Sequence, residues 1–290
     1  MTTREQWIAG ARPKTLAAVI SPVIVGTAFA GYNANAVNFF LALIVGLGLQ
    51  IGVNYANDYS DGVRGTDSQR LGPMRLVGSG AATADAVKQA ALISIAVAAL
   101  AGVLLAARTS WLLIAIGAIS IIAAWTYTGG PKPYGYYALG EVSVFIFFGL
   151  VATLGTYFVH TESISFEVIL AANAMGLLSC SILVLNNLRD LESDRVAKKI
   201  TLAVKIGEKA TRRFLQGLLI APIVIALLLS FIGSFYNLIV VLAIPHIIFV
   251  IKKVRAGAVG GELIELLERT GRIQIIYSLA ISFAALLSAR

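Results

Sequence analysis

The chain has 290 residues, of which 58% are hydrophobic and only 13% are charged, and its mean hydropathy is +0.84. Soluble globular domains carry about 25% charged residues, so the composition excludes that class and indicates an integral membrane protein. The net charge of +8 does not indicate a nucleic-acid partner, because basic residues commonly flank membrane spans on the cytoplasmic side and face anionic lipid.

Nine apolar stretches are long enough, at roughly 20 residues each, to cross a bilayer. They lack the alternation of strands, so the sequence predicts an all-α bundle. The segment before the first span, MTTREQWIAGARPKTL, lacks the apolar core of a cleavable signal peptide, so we expect the first span to direct insertion. In chain order the predicted spans cover residues 16–31, 37–56, 86–107, 111–127, 140–158, 166–188, 213–231, 235–251 and 272–289.

The distribution of basic residues predicts the orientation of these spans. With a cytoplasmic N-terminus and alternating sides, every lysine and arginine except Arg108 and Arg290 falls on the cytoplasmic side. We therefore predict one transmembrane domain over residues 1–290, with nine helices and the N-terminus in the cytoplasm. Its cytoplasmic cap would be formed by the connections at residues 57–85, 128–139 and 189–212.

Two acidic clusters follow apolar spans, in NYANDYSDGVRGTD (54–67) and NNLRDLESDRVAKK (186–199). Each begins with Asn-x3-Asp and has another aspartate three or four residues later, a spacing that places side chains on one face of a helix. Four spans separate the clusters, so both lie on the same side of the membrane. The polar residues concerned are Asn54, Asn57, Asp58, Asp61 and Asp67 in the first cluster and Asn186, Asn187, Asp190 and Asp194 in the second.

Like-charged carboxylates on one face repel each other and are costly to desolvate near a bilayer. A divalent cation would compensate them, and Mg2+ in particular is bound by a few carboxylates together with substrate phosphates. We therefore predict that the two clusters hold Mg2+ and clamp one diphosphate. Solvated surface charge is the simpler reading of either loop alone, and neither loop has the spacing of a calcium-binding EF-hand. A cation transporter is the main alternative, although its ion site would favour the middle of the bilayer.

Basic and aromatic residues beside the clusters are further candidates, because positive charge can stabilise a departing diphosphate. For any one of these residues taken singly, the positive-inside rule or membrane anchoring explains its position about as well as diphosphate binding does. The connection YTGGPKPYGYYALGE (127–141) is rich in glycine, proline and tyrosine, and is also consistent with a rigid interfacial turn. The candidates are Arg12, Lys14, Arg64, Tyr127, Lys132, Arg189 and Lys198.

These motifs together resemble those of the UbiA superfamily of intramembrane prenyltransferases. The resemblance covers essentially the whole chain and rests on the Asn-Asp-x2-Asp of the first cluster, the Asp-x3-Asp of the second and the nine predicted spans. Within the superfamily, NYANDYSDGVRGTD, GPMRLVGSG, YTGGPKPYGY with its trailing LGE, and NNLRDLESDRVAKKITLAVKIG are most similar to the branch that prenylates 1,4-dihydroxy-2-naphthoate in menaquinone biosynthesis.

The resemblance implies helices bundled around a central cavity that opens to the cytoplasm and laterally to lipid. It implies Mg2+-dependent transfer of a polyprenyl group to the naphthoate, in a bacterial cytoplasmic membrane, without an obligate protein partner. Another aromatic acceptor, such as 4-hydroxybenzoate, stays open. By position, the resemblance assigns metal binding to Asp58, Asp61, Asp67, Asp190 and Asp194, chemistry also to Arg64, Tyr127 and Lys132, and substrate binding to Arg12, Lys14, Asn54, Asn57, Asn186, Asn187, Arg189 and Lys198.

Two departures from the family pattern affect these assignments. Asp67 follows Asp61 by six residues, whereas the commoner pattern has four, so Asp67 is the least secure of the metal ligands. Tyr127 and Lys132 are one residue further apart than in the superfamily's tyrosine-to-lysine motif. A glycine pair four residues apart, Gly48 and Gly52, predicts close packing between helices rather than a binding site.

Overall fold

The computed structural model describes residues 2–65 and 74–288 as a bundle of α-helices. The helices are α1 (Arg4–Ala11), α2 (Ala17–Phe29), α3 (Ala36–Val63), α4 (Ala84–Arg108), α5 (Leu112–Thr126), α6 (Gly140–Thr161), α7 (Phe166–Arg189), α8 (Leu191–Val196), α9 (Leu202–Ile206), α10 (Glu208–Ile232), α11 (Phe235–Arg255) and α12 (Gly261–Ser288). Within α6, residues Phe145–Val151 form a π-helical segment, and α11 begins with a 3-10 segment, Phe235–Ala243.

Among the described residues, seven helices are long and apolar enough to span a membrane, namely α3, α4, α6, α7, α10, α11 and α12. The residues from Arg4 to Phe29 form an eighth candidate that is bent by 53°. Helix α5 has 15 residues, or about 22 Å at 1.5 Å per residue, which is short of a hydrocarbon core about 30 Å thick. The chain is a multi-pass membrane protein, but the predicted count of nine spans is not confirmed.

The polar connections contain more helix than the sequence predicts. Helix α3 does not end at residue 56 but continues to Val63, so Asn54, Asn57, Asp58 and Asp61 of the first acidic cluster lie on its last three turns. The segment 189–212 contains the short helices α8 and α9 and the start of α10. Helix α12 begins at Gly261, eleven residues before the predicted start of the last span. Hydropathy identifies apolar stretches, so it does not detect the polar residues by which a helix extends beyond its apolar part.

Helix α7 forms the centre of the bundle, with 15 buried residues from Val168 to Leu188. It packs against α2, α6, α10 and α12. At its contact with α6, a Cβ added to Gly149 would lie 2.5 Å from the Cα of Gly176. The two helices could therefore not approach each other as closely with a larger residue at this position.

Helices α3 and α4 form the second close pair, as the glycine spacing predicts. A Cβ added to Gly48 would lie 2.9 Å from the Cβ of Ala98, and one added to Gly52 would lie 2.8 Å from Ile95 Cγ1. The predicted close packing is therefore confirmed, because the missing side chains let the two backbones meet.

One end of the bundle collects the polar residues. The Asn54 side chain on α3 donates a hydrogen bond to the carbonyl oxygen of Ala11, 2.9 Å away, at the end of α1. Lys14, at the bend between α1 and α2, forms an ion pair with Glu268 near the start of α12. The C-terminal ends of α3 and α7 lie at this same end, so both acidic clusters border one space.

Candidate active site

Two adjacent cavities meet at this end of the bundle. The polar cavity, of about 450 Å3, lies between the helix ends and is bordered by residues of both acidic clusters. The apolar cavity, of about 300 Å3, extends from it into the bundle. They share a wall made of Arg12, Thr15, Asn57, Tyr127, Leu183 and Asn186.

The apolar cavity is lined mainly by aliphatic and aromatic side chains of α2 to α7, with some hydroxyl and amide groups among them. Representative lining residues are Val23, Ala42, Leu113, Phe147 and Val159. Val159 lies at the far end of α6 from the polar cavity, so the space runs along the bundle. Gly117 and Gly155 also line it, and a Cβ at either would meet no atom within 4 Å.

The described lining of the polar cavity carries a net positive charge. Within residues 2–65 and 74–288 it contains five basic side chains, Arg12, Lys14, Arg75, Arg189 and Lys199, against the three acidic side chains Asp61, Asp190 and Glu268. A low-dielectric wall strengthens the attraction between this excess and an anion. The cavity therefore suits a multiply charged anion such as a diphosphate.

Asp61 is the cavity-facing carboxylate of the first cluster and is 1% exposed. The Tyr136 hydroxyl donates to its Oδ1 over 2.7 Å, and the Lys199 ammonium lies 3.4 Å from its Oδ2. Tyr136 comes from the connection before α6 and Lys199 from the segment after α8, so two separate loops meet on this carboxylate.

Asp58 lies one turn earlier on α3 and does not line either cavity. Its Oδ2 accepts a hydrogen bond from the backbone N–H of Leu76 over 2.8 Å, and its Oδ1 accepts one from Val77 over 3.1 Å. Leu76 is fully buried. The Asp58 carboxylate thus anchors the loop before α4 against α3, and metal binding by Asp58 stays a prediction.

The second cluster also has one aspartate at the cavity and one behind it. Asp190 lines the polar cavity and accepts two hydrogen bonds from the guanidinium of Arg189, at 2.7 and 2.8 Å. Asp194 is 1% exposed and lies outside both linings. Its backbone carbonyl accepts from Lys199 N over 2.8 Å, which brings Lys199 back toward the cluster.

The asparagines complete the cavity walls. Asn54 and Asn186 line the apolar cavity near its mouth, and Asn57 accepts a hydrogen bond from the Thr128 hydroxyl over 2.6 Å. Asn187 lines the polar cavity while its Nδ2 donates to Oε1 of buried Glu141 over 2.9 Å. The hydrogen bond to Glu141 therefore fixes the orientation of the Asn187 amide.

The connection between α5 and α6 covers the cavities from one side. The Arg64 guanidinium donates to the backbone carbonyls of Thr128 and Gly130, so it holds this loop rather than lining a cavity. Tyr127, which lines both cavities, packs edge-to-face on Tyr134 with 5.4 Å between ring centroids. Burial raises the pKa of Tyr134 above its ordinary value, so its hydroxyl stays neutral at physiological pH.

Most of the predicted site residues border the two cavities. Those that do are Arg12, Lys14, Asn54, Asn57, Asp61, Tyr127, Asn186, Asn187, Arg189 and Asp190. Those that do not are Asp58, Arg64, Lys132, Asp194 and Lys198, of which Arg64, Lys132 and Lys198 are exposed. The metal ligand predicted at Asp67 lies outside the described residues.

Two residues of the site, Tyr136 and Glu141, are absent from the sequence prediction, although they lie in the stretch 127–141 in which Tyr127 and Lys132 were singled out. A third, Lys199, is one of the basic residues beside the second cluster, but the binding candidate chosen there was its neighbour Lys198, which is exposed where Lys199 is buried. The one signal for Glu141 was a carboxylate at the start of an otherwise apolar span, since such residues are generally functional or paired. Periodicity carried no signal for the other two.

The chain is similar over almost its full length to proteins of known name. It is 47% identical over 286 residues to a 1,4-dihydroxy-2-naphthoate octaprenyltransferase from Mycobacterium tuberculosis, which covers 98% of each chain. It is 40% identical over 229 residues to the protein of that name from Escherichia coli, covering 76% of this chain and 74% of the other.

Solved structures share the fold. A UbiA homolog from Archaeoglobus fulgidus bound to DMAPP and Mg2+ aligns with a TM-score of 0.70 over 97% of this chain and 99% of that one, at 13% identity. An apo UbiA homolog from Aeropyrum pernix K1 aligns with a TM-score of 0.71 at 16% identity, over 92% of this chain and 96% of that one. The sequence model of the UbiA prenyltransferase family matches residues 19–258. The chain therefore belongs to the UbiA prenyltransferase family.

Proposed function

We propose that this enzyme transfers a polyprenyl group from an allylic polyprenyl diphosphate to 1,4-dihydroxy-2-naphthoate, releasing diphosphate and CO2 and giving demethylmenaquinone in its quinol form. The observation that carries the proposal is the wall shared by a basic polar cavity and an apolar cavity. A prenyl diphosphate has the same two parts, joined at the bond that must break. The acceptor follows from the names of the relatives at 40–47% identity.

The donor set fits Mg2+ in its usual phosphate-bridging mode. No group of three acidic, histidine or cysteine side chains close enough to hold a metal occurs within residues 2–65 and 74–288. Mg2+, however, commonly uses one or two carboxylates and completes its shell with water and substrate phosphates. Asp61 and Asp190 would hold it from the two clusters, with Asp58, Asp67 and Asp194 as the further predicted ligands. Bound there, it would neutralise charge on the departing diphosphate.

The residues of the polar cavity would orient and stabilise the diphosphate. Arg12, Arg75 and Arg189 border the space from three separate elements, so their charges can surround an anion. As the allylic C–O bond breaks, negative charge grows on the diphosphate oxygens, and prepositioned cations stabilise that state more than the substrate. Arg64, at the end of α3, and Lys132, in the loop that covers the site, are two further predicted basic contacts.

The shared wall is where we place the reacting carbon. The cavity beyond it excludes water with aliphatic and aromatic side chains, which would protect an allylic cation until the ring attacks. The electron-rich naphthoate ring supplies the electron pair of the new C–C bond. Its carboxylate leaves as CO2 and returns the electron pair of the broken C–C bond to the ring, so the net product is the prenylated quinol with no change of oxidation state. Tyr127, at the wall, is the predicted aromatic contact for the acceptor.

A reconstituted assay tests this function. Purified protein with Mg2+ and a labelled polyprenyl diphosphate is offered 1,4-dihydroxy-2-naphthoate or 4-hydroxybenzoate, and lipid product and free diphosphate are both measured. We expect naphthoate-dependent product with equimolar diphosphate, abolished by EDTA. Preferential prenylation of 4-hydroxybenzoate would overturn the acceptor, and ion flux in liposomes without any diphosphate requirement would favour the transporter.

The proposal also places the protein in a bacterial cytoplasmic membrane with the polar cavity facing the cytoplasm. The single cysteine, Cys180, is buried, so an introduced cysteine can be labelled cleanly. We expect Lys205→Cys, in the exposed part of 189–212, to react with an impermeant maleimide only in inverted vesicles. Tyr32→Cys, at the exposed turn after α2, should react only in intact spheroplasts. The reverse pattern would contradict the orientation.

A further inference from the structure

Lys199 is the buried cation that faces Asp61, and its position depends on the backbone before it. Lys198 adopts a left-handed conformation with φ of 56°, which turns the chain so that Lys198 is exposed and Lys199 is buried. The Lys199 N–H then donates to the Asp194 carbonyl over 2.8 Å. Lys199 is thereby tied to the second cluster through its backbone and to the first cluster through its side chain.

The ammonium of Lys199 is held by charge and aromatic contacts rather than by a tight ion pair. It lies 3.4 Å from Asp61 Oδ2, with side chains 9% and 2% exposed, and 5.0 Å from the centroid of the Tyr136 ring. The hydroxyl of the same tyrosine donates to Asp61 Oδ1. Next to these residues, Ala138 N donates to Ile200 O over 2.8 Å, so the two loops are joined beside the Asp61 contact.

A buried carboxylate must be compensated by a positive charge, and here Lys199 supplies one. A divalent ion brought to the same carboxylate would repel the ammonium across a few ångströms of low-dielectric protein. Lys199 also lines the polar cavity, and its flexible four-carbon stem allows the ammonium to turn toward an anion there. One side chain can therefore neutralise Asp61 in the absence of metal and bind a diphosphate in its presence.

We propose that Lys199 is a diphosphate-binding residue that exchanges partners: it occupies Asp61 until a divalent cation arrives, and then moves to the diphosphate that the cation accompanies. The inference rests on the proposed function of the polar cavity as a diphosphate site. It assigns Tyr136 as the positioning residue that keeps Lys199 beside Asp61, because the tyrosine contacts both.

The exchange predicts opposite effects on two affinities, which a merely structural role would not produce. In the Lys199→Met variant without diphosphate, Mn2+ should bind at least about tenfold more tightly, because a nearby charge commonly changes a site by one order of magnitude or more. With Mg2+ present, inorganic diphosphate should bind about tenfold more weakly. Electron paramagnetic resonance of free Mn2+ measures the first affinity, and isothermal titration in detergent measures the second.

Two further variants keep the test decisive. Lys205→Met removes an exposed lysine from the same segment and should leave both affinities within about twofold of the wild type. Lys199→Gln keeps a hydrogen-bond donor for Asp61 but removes the charge, so it should shift both affinities in the same directions as Lys199→Met. It replaces Lys199→Met should that variant not fold.

A loss of both affinities in the Lys199 variants, or an unchanged Mn2+ affinity, would overturn the exchange. Neither binding experiment contains an acceptor. Wild-type protein that binds Mn2+ and diphosphate but prenylates another acceptor would contradict the proposed function alone, and the Lys199 inference would stand on its own result.

Discussion

The polar and apolar cavities differ in how their walls are held. The polar cavity is lined by charged groups that are mostly paired with one another, such as Asp190 with Arg189 and Asp61 with Lys199. The apolar cavity is lined mainly by aliphatic and aromatic side chains, and two of its glycines, Gly117 and Gly155, leave space open. The first can recognise only a particular charge arrangement, whereas the second accepts any apolar chain that fits.

Because of this difference, we expect recognition of the diphosphate head group and recognition of the prenyl chain to be separable by mutation. Changes in the polar cavity should affect every prenyl diphosphate alike, because all share one head group. Changes deep in the apolar cavity should depend on chain length. Residues behind the polar cavity should affect stability before they affect recognition.

The largest expected effect is at the two cavity-facing aspartates. Asp61→Asn or Asp190→Asn should each lower kcat/KM by about 1000-fold, since a metal ion contributes several kcal/mol of charge stabilisation and each 1.4 kcal/mol is tenfold. Steady-state kinetics with geranyl and octaprenyl diphosphates measure the loss, which should be equal for both donors. A loss restricted to one donor length would break the separation of head and tail.

A smaller effect, which depends on the length of the donor chain, is expected at Gly117 in the apolar cavity. A side chain there would enter open space, so Gly117→Phe should fold but shorten the cavity. Misfit in a packed site costs about 1–3 kcal/mol, so kcat/KM for octaprenyl diphosphate should fall about 10–100-fold while geranyl diphosphate is nearly unaffected.

Gly217 offers a matched control for this change. It also lies on a helix, here α10, and has no atom within 4 Å of an added Cβ, but it is exposed and borders neither cavity. Gly217→Phe should leave the ratio of the two donors unchanged. An equal loss for both donors in Gly117→Phe would show that the apolar cavity does not measure the prenyl chain.

The smallest expected effect is on stability, at Asp58 behind the polar cavity. Asp58→Asn leaves one acceptor for the two N–H groups of Leu76 and Val77, and an unsatisfied buried group costs about 1–3 kcal/mol. The melting temperature in detergent should therefore fall by several degrees even without metal or donor.

Glu192→Gln serves as the control for Asp58→Asn, because Glu192 is 77% exposed in a surface pair worth about 0–1 kcal/mol. Its melting temperature should stay close to that of the wild type. If Asp58→Asn melts like the wild type but loses Mn2+ binding, the anchoring role is wrong and the predicted role of Asp58 as a metal ligand is supported.

Much of the site could be predicted from sequence because its parts repeat local patterns. The three- and four-residue spacings predicted that aspartates share a helix face, and Asp61 and Asp190 do border one cavity. The patterns could not predict which member of each pair faces it. In the first cluster the second aspartate lines the cavity, because the loop at Leu76 binds Asp58. In the second cluster the first aspartate lines it, and Asp194 is buried on α8.

Span number and helix ends were less predictable. Hydropathy found every apolar helix, yet it could not show that the Arg4–Phe29 region bends by 53° or that α5 has only 15 residues. Such features depend on backbone breaks and on how polar ends continue the helix. The extension of α3 to Val63 is the clearest case, since its last turns are polar but still helical.

The sequence by itself determined the membrane class, the two acidic motifs and the family resemblance, because composition and short spacings are local properties of the chain. Only the tertiary structure decided that Lys199 rather than Lys198 meets Asp61, that Tyr136 joins them, and that Glu141 orients Asn187. Lys199 and Asp61 are 138 residues apart in the chain, a separation that no local sequence motif can bridge. A left-handed turn at Lys198 and the packing of two loops brought them together.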